Sequence, residues 1–226
     1  MNLLAIDTAA SLCAACVFDT EAGRELGREV LDLGKGHAEH LIGVIEAAPA
    51  SSGTGYADIG MIAVSVGPGS FTGVRVGVSA ARGLALALKV PAVGVTTLEA
   101  LAAEARFSFP DRDIMTVIDA GRGGLYVAVH GADGHEIAPA ALLTVEQAVD
   151  LARETGPVLV GSGVAAVRAS GRQGAEGSLA ATADILVFAR LAAERGLPGR
   201  PATPLYLRTA DAKPQADFAL PRKAQP

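Results

Sequence analysis

Apolar and polar positions along the chain switch between two periods. Short apolar runs at Leu3–Ile6 and Cys13–Phe18 are separated by a polar turn, Asp7 to Ser11. After a second turn, Asp19 to Gly23, a third run reaches from about Leu26 to Asp32, which predicts an antiparallel three-strand meander. The period then becomes helical: Leu41, Val44, Ile45 and Ala48 share one face of a helix over His37–Ala48, which Pro49 and the following Ser and Gly are expected to end. Ile62–Val66 is a short, largely apolar run ending in turn residues, as expected of a strand covered on both faces. Residues 67–73 hold three glycines and a proline, and a helix from Gly73 to Leu88 follows, with Ser70 and Thr72 as candidate caps. Gly73, Gly77 and Ala81 lie four apart, so one face of this helix carries almost no side chain and invites close approach by another helix. A short strand Ala92–Val95 and a helix Leu98–Arg106 close the first half.

Beyond a boundary at 107–112 the opening pattern returns. Ile114–Asp119 resembles Leu3–Asp7, an apolar strand ending in Asp and a turn of small residues, and further strands follow at Leu125–His130 and near Ile137. A helix Val145–Glu154, a strand Val158–Val160, a flexible segment 161–177 and a helix Asp184–Arg195 complete the pattern before a proline-rich tail. Two meanders, each leading into alternating helices and strands, predict two mixed sheets flanked by helices. The domains expected are residues 1–105 and 106–226. This α/β architecture resembles the duplicated ribonuclease-H-like fold of actin, the Hsp70 ATPase domain and sugar kinases. In nucleotide-binding members of that group an Asp ending the first strand orients a metal-bound water. Asp7, Thr8, Ser11, Asp119 and Arg122 are therefore the candidate nucleotide contacts, with Asx-turns as the plain alternative for the two aspartates.

Composition narrows the function. The chain has 226 residues, half of them apolar, 4% aromatic residues and a net charge of −5. Such a balance argues against gripping nucleic acid unaided, and no basic, aromatic-rich stripe is visible. No signal peptide is evident, and the 73–88 helix is short for a membrane span and carries Arg75 and Arg82, so a cytoplasmic protein is expected. Cys13 and Cys16 form a C-x-x-C pair without a second pair to complete a zinc site, and they lie on a strand where residues three apart face opposite ways. The glycine loop lacks the Lys-Ser/Thr of a P-loop and does not read G-x-G-x-x-G.

Four segments carry a family resemblance: Ala5-Ile6-Asp7-Thr8-Ala9, Gly36-His37-Ala38-Glu39-His40-Leu41, Gly67–Arg75 and Pro204-Leu205-Tyr206-Leu207-Arg208. Together they are similar to TsaB, a subunit of the complex that makes N6-threonylcarbamoyladenosine beside the anticodon of tRNA. The resemblance implies a non-catalytic subunit that binds and activates TsaD, the transferase, with TsaE, an ATPase, joining them. The catalytic relative has an H-x-x-x-H metal pair where this chain reads Val95-Thr96-Thr97-Leu98-Glu99-Ala100. No catalytic residue, metal site or intrinsic cofactor is expected; ATP or ADP with magnesium at the joint surface with TsaD is the one cofactor reading left open. The resemblance also implies a partner surface on the first helix and the glycine-loop helix: His37, His40, Leu41, Val44, Phe71, Arg75, Val78 and Arg82. The same surface would serve a homodimer when TsaD is absent, and tRNA would be met only through the complex. One departure stands out. The family's Asp-Ala-Arg-x-x-Glu-Val-Tyr run is Asp119-Ala120-Gly121-Arg122-Gly123-Gly124-Leu125-Tyr126 here, so any contact made by that glutamate is lost. The alternative is an enzyme, a glycoprotease-like hydrolase or weak ATPase; a serine hydrolase would need Ser70 to meet His37 or His40 and an acid.

Overall fold

A computed structural model describes residues 1–171 and 174–208. The first sheet holds β1 (Asn2–Asp7), β2 (Leu12–Asp19), β3 (Arg24–Asp32), β4 (Ile59–Ser65) and β5 (Ala92–Val95) in the order β3-β2-β1-β4-β5. β1 pairs with β2 antiparallel, Ala5 opposite Cys16, and with β4 parallel, Ala5 opposite Ala63. The second sheet repeats the arrangement with β6 (Ile114–Asp119), β7 (Gly124–His130), β8 (Glu136–Thr144) and β9 (Val158–Val160), ordered β8-β7-β6-β9. A single parallel bridge from Leu159 to Glu176 stands where the first sheet has its fifth strand.

Three apolar layers follow from strand alternation. On β1, Leu4 and Ile6 face α1 (His37–Ser52) and α2 (Phe71–Leu88), while Leu3 and Ala5 face the layer between the sheets. That central layer is filled by α3 (Thr97–Arg106) and α6 (Ile185–Arg195). Its helices are exchanged: α3 rests on β6 of the second sheet, and α6 rests on β1 and β2 of the first. The outer face of the second sheet packs Met115 and Val117 under α4 (Val145–Thr155) and α5 (Val164–Ala169). Cys13 and Cys16 are free thiols buried on opposite faces of β2. Burial pushes the Cys13 thiol up to about 11, with the Asp7 charge adding to it, and pushes Cys16 higher still.

The fold departs from the sequence pattern at three places. α1 does not stop at Pro49 but runs through it to Ser52 and ends on left-handed Gly53. A proline there cannot donate to the Ile45 carbonyl, and the Tyr56 hydroxyl donates to that oxygen instead, at 3.4 Å. The segment 161–177, expected to be flexible, contains α5, whose Val164 and Val167 are buried. At Gly73 and Gly77 the small face of α2 lies against the turn after β1, as described below, and not against a helix backbone. α2 is long and apolar enough to cross a membrane by length and composition, yet Val74, Val78, Ala81 and Ala85 on it are core residues.

Candidate functional site

The strand-loop-helix unit around residues 65–75 is locked to the end of β1. Ser70 caps α2, its Oγ accepting from the Gly73 amide at 3.2 Å, and Thr72 takes no capping role. The Ser70 amide donates to the Ala9 carbonyl at 2.7 Å, and a Cβ on Gly69 would lie 2.2 Å from that oxygen. The Thr8 hydroxyl donates to the Gly73 carbonyl at 2.8 Å. A Cβ on Gly73 would fall 2.1 Å from the Thr8 carbonyl oxygen, and one on Gly77 would fall 2.3 Å from the Thr8 hydroxyl. The glycine spacing is therefore a seat for Thr8.

Asp7 and Thr8 are consumed in this packing. Asp7 is buried; its Oδ1 accepts from the Ala9 amide at 2.9 Å and its Oδ2 from the Thr182 hydroxyl at 2.7 Å. Burial raises its carboxyl above the usual range, opposed by hydrogen bonds from Ser65, Ala9 and Thr182 and by the charge of His37. Asp119 is exposed and makes an Asx-turn, accepting from the Gly121 amide at 2.8 Å. Ser11 is exposed, and its carbonyl accepts from Leu33 and Gly34. Of the five candidate nucleotide contacts only Arg122, at left-handed φ of 54°, lines a large cleft described next.

That cleft, of about 1040 Å³, lies between the glycine loop of the first half and the Ala120–Arg122 turn of the second. Phe71 and Arg75, one helical turn apart on α2, form one wall. The Arg75 guanidinium lies 3.7 Å from the centre of the Phe71 ring, and its Nε donates to the Tyr206 hydroxyl at 2.8 Å. Tyr206 is held there by the segment after α6, which returns across the first sheet. Pro201 bridges Val93, the Gly94 amide donates to Arg200, and the Leu205 amide donates to Val66 at 2.8 Å. On this strap Arg208 donates to the Gly121 carbonyl at 3.2 Å, tying the first half to the second. Tyr206 and Arg208 were legible as a motif but not as part of a site, because nothing local says that residue 206 reaches residue 75. Part of the proline-rich tail lies outside the described residues.

The residues expected on a partner surface divide by burial. His40, Phe71, Arg75 and Arg82 are exposed. Leu41, Val44 and Val78 are buried in the outer core layer, because each falls on the helix stripe facing the first sheet. They underlie the surface and do not form it. His37 is also buried, its Nε2 3.1 Å from the Leu12 carbonyl oxygen, which anchors the start of α1. Ile42, 59% exposed, and Leu86, 81% exposed, are the large apolar side chains that α1 and α2 turn outward alongside Phe71. At the position of the relative's histidine pair stands a capping box. Thr96 accepts from the Glu99 amide, and Glu99 accepts from the Thr96 amide.

Comparison with known proteins gives the family. The family model of TsaD, tRNA N6-adenosine threonylcarbamoyltransferase, matches residues 32–172. The tRNA threonylcarbamoyladenosine biosynthesis protein TsaB of Escherichia coli is 36% identical over 141 residues, 61% of this chain and 58% of that protein. The chain thus matches little more than half the length of that relative. An uncharacterized protein of Mycobacterium tuberculosis is 32% identical over 218 residues, 95% of each. The solved structure of YeaZ from Pseudomonas aeruginosa superimposes with a TM-score of 0.75 at 25% identity, covering 91% of this chain and 99% of that one. The chain belongs to the family of the tRNA N6-adenosine threonylcarbamoyltransferase TsaD and, within it, to the TsaB proteins.

Proposed function

We propose that this chain is a non-catalytic subunit of the complex that forms N6-threonylcarbamoyladenosine in tRNA, acting in the cytoplasm by binding and activating TsaD. The observation that carries the reading is the outer face of α1 and α2. Ile42, Phe71 and Leu86 stand exposed there with His40 and Arg82, over a helix pair fixed to the sheet beneath. In this reading TsaD covers that face, TsaE joins the pair, and a second copy of the chain covers it when TsaD is absent. The chain itself holds no cofactor, and any ATP or ADP with magnesium sits at the joint surface with TsaD. Both oxygens of Asp7 already accept hydrogen bonds from the protein, and among the described residues no three His, Cys, Asp or Glu side chains converge on one point. The Thr96–Glu99 capping box supports the non-catalytic reading, since it fills the place of the relative's metal-binding histidines with a helix cap.

The test is size-exclusion chromatography with light scattering, on the chain alone and mixed with TsaD from the same organism. A homodimer that converts into a mixed complex is expected, with Ile42→Glu and Arg82→Glu weakening both while leaving the fold intact. A chain that elutes unchanged beside TsaD overturns the proposal.

A further inference from the structure

We propose that the groove between α3 and α6 binds a small organic monoanion, its charged group against Arg106 and Arg190 and its apolar body against Val187 and Leu191. The first reason is a pair of charges without a counter-charge. Arg28, Arg106, Arg190 and Arg208 are the partly buried arginines among the described residues. Arg28 donates to Glu25 and Asp184, and Arg208 donates to the Gly121 carbonyl. Arg106 and Arg190 donate no hydrogen bond and meet no carboxylate within ion-pair distance among the described residues, and both line the same groove. A partly desolvated charge is ordinarily paired. Two guanidinium groups left open on one groove select an anion, since their planar donors match a carboxylate or sulfonate.

The second reason is the shape and lining of the groove. Its volume is about 300 Å³, at the small end of the range for organic ligands. Ala103 on α3 faces Val187 and Leu191 on α6 across it, so an apolar body loses contact with water there. Ala132 completes the lining, its amide fixed by donation to Asp113 Oδ1 at 3.3 Å. Phe107, 68% exposed, also lines the groove. The Arg190 guanidinium lies 5.9 Å from the centre of that ring, a contact that takes up none of its N–H donors. Glu194, one helical turn beyond Arg190, is the single acid in the lining. Two arginines against one glutamate leave one net positive charge, which suits a monoanion. The neighbouring acids are engaged elsewhere: Glu104 accepts from the Asp184 amide at 2.9 Å, Asp113 from Ala132, and Asp133 pairs with His135. The groove belongs to α3 and α6, and the face assigned to TsaD belongs to α1 and α2, so this inference stands or falls apart from the subunit reading.

The experiment uses the full chain and anilinonaphthalene sulfonate, an aromatic monoanion whose fluorescence rises in apolar surroundings, titrated at pH 7 and moderate salt. One saturable site is expected. Excess phenylbutyrate should empty it, whereas acetate, which lacks the apolar body, and phenylbutanol, which lacks the charge, should not. Arg106→Gln and Arg190→Gln should each weaken the probe roughly three- to tenfold, the scale of a partly screened charge-assisted hydrogen bond. Glu194→Gln removes the opposing charge and should tighten binding about two- to threefold. Arg153→Gln on α4, away from the groove, should change nothing, and circular dichroism melts confirm that each variant folds. Four results overturn the proposal: no saturable binding, binding indifferent to both Arg106→Gln and Arg190→Gln, an equal loss from Arg153→Gln, or displacement by phenylbutanol or acetate as effective as by phenylbutyrate.

Discussion

Two glycines on α2 should respond to the same substitution with opposite signs. Gly83 is exposed, and a Cβ there meets nothing within 4 Å. Alanine at an exposed helix interior removes backbone freedom from the unfolded chain, so Gly83→Ala should stabilise by about 0.5–1 kcal/mol. Gly73 is buried, and its Cβ would fall 2.1 Å from the Thr8 carbonyl oxygen, where ordinary contact begins at 3.4 Å. The clash is with backbone, so α2 and the β1 turn must separate by about 1 Å or more. Overpacking of this kind costs about 1–3 kcal/mol, and the Thr8–Gly73 hydrogen bond at 2.8 Å, worth about 1 kcal/mol, is strained with it. Less than about 1 kcal/mol of helix propensity offsets this. Gly73→Ala should therefore lose about 1–3 kcal/mol, a fall in Tm of about 3–10 °C for a chain of this size, while Gly83→Ala rises by about 1–4 °C. Urea and thermal unfolding by circular dichroism read both, with unchanged m-values showing that stability has shifted without a change in the surface exposed on unfolding. Equal stability of the two variants would refute the seat assigned to Thr8.

Further outcomes follow from burial and titration. Val78→Glu places an unpartnered carboxylate in a core position only 3% exposed and should cost more than about 4 kcal/mol, so that little soluble folded protein is recovered; Arg82→Glu, on the exposed face, should unfold at the wild-type temperature. A well-folded Val78→Glu protein would contradict the core placement. Asp7 has a folded pKa above its unfolded value of 3.8, so its stabilising contribution is complete below that value and is lost as pH rises through the folded pKa. Denaturant titrations rising from pH 4 should show wild type losing ground to Asp7→Asn until Asp7 ionises in the folded state, and a gain by wild type as pH rises would reverse the assignment. Thr182→Val removes the hydroxyl donated to Asp7 and should cost about 1–3 kcal/mol at pH 7. Cys13 and Cys16 should react with Ellman's reagent at pH 8 only after unfolding, and fast labelling of the native chain would show that β2 is not closed on both faces.

Much of this architecture is written locally. The two strand-Asp-turn units, the period-2 and helical patterns and the glycine loop each depend on neighbours within about ten residues, and the two sheets follow from them. What was not legible depends on partners far away in sequence. Pro49 reads as a helix stop because its own neighbours cannot reveal that Tyr56 folds back to satisfy Ile45. Gly73 and Gly77 read as a helix-packing stripe because spacing reports that a close approach exists and not what approaches, which is Thr8, 65 residues before Gly73. Arg75 and Tyr206 are separated by 131 residues, and a cluster assembled from such distances leaves no stripe in the sequence. Val78 was taken for surface because α2 is apolar nearly all round, so its pattern does not announce which side faces the sheet.

The exchange of α3 and α6 between the sheets has a consequence for how the chain matures during synthesis. The first sheet is complete once β5 has left the ribosome, but the helix that covers the inner side of β1 and β2 is residues 185–195, the last helix among the described residues. Leu3, Ala5, Phe18 and Met61 must wait uncovered while about ninety further residues are translated. At about 5–20 residues per second that is an interval of roughly 5–20 seconds in which a nascent chain presents a sticky, half-built surface. Ribosome-associated chaperones have their natural window there, and a message truncated before residue 185 would yield a product that never closes.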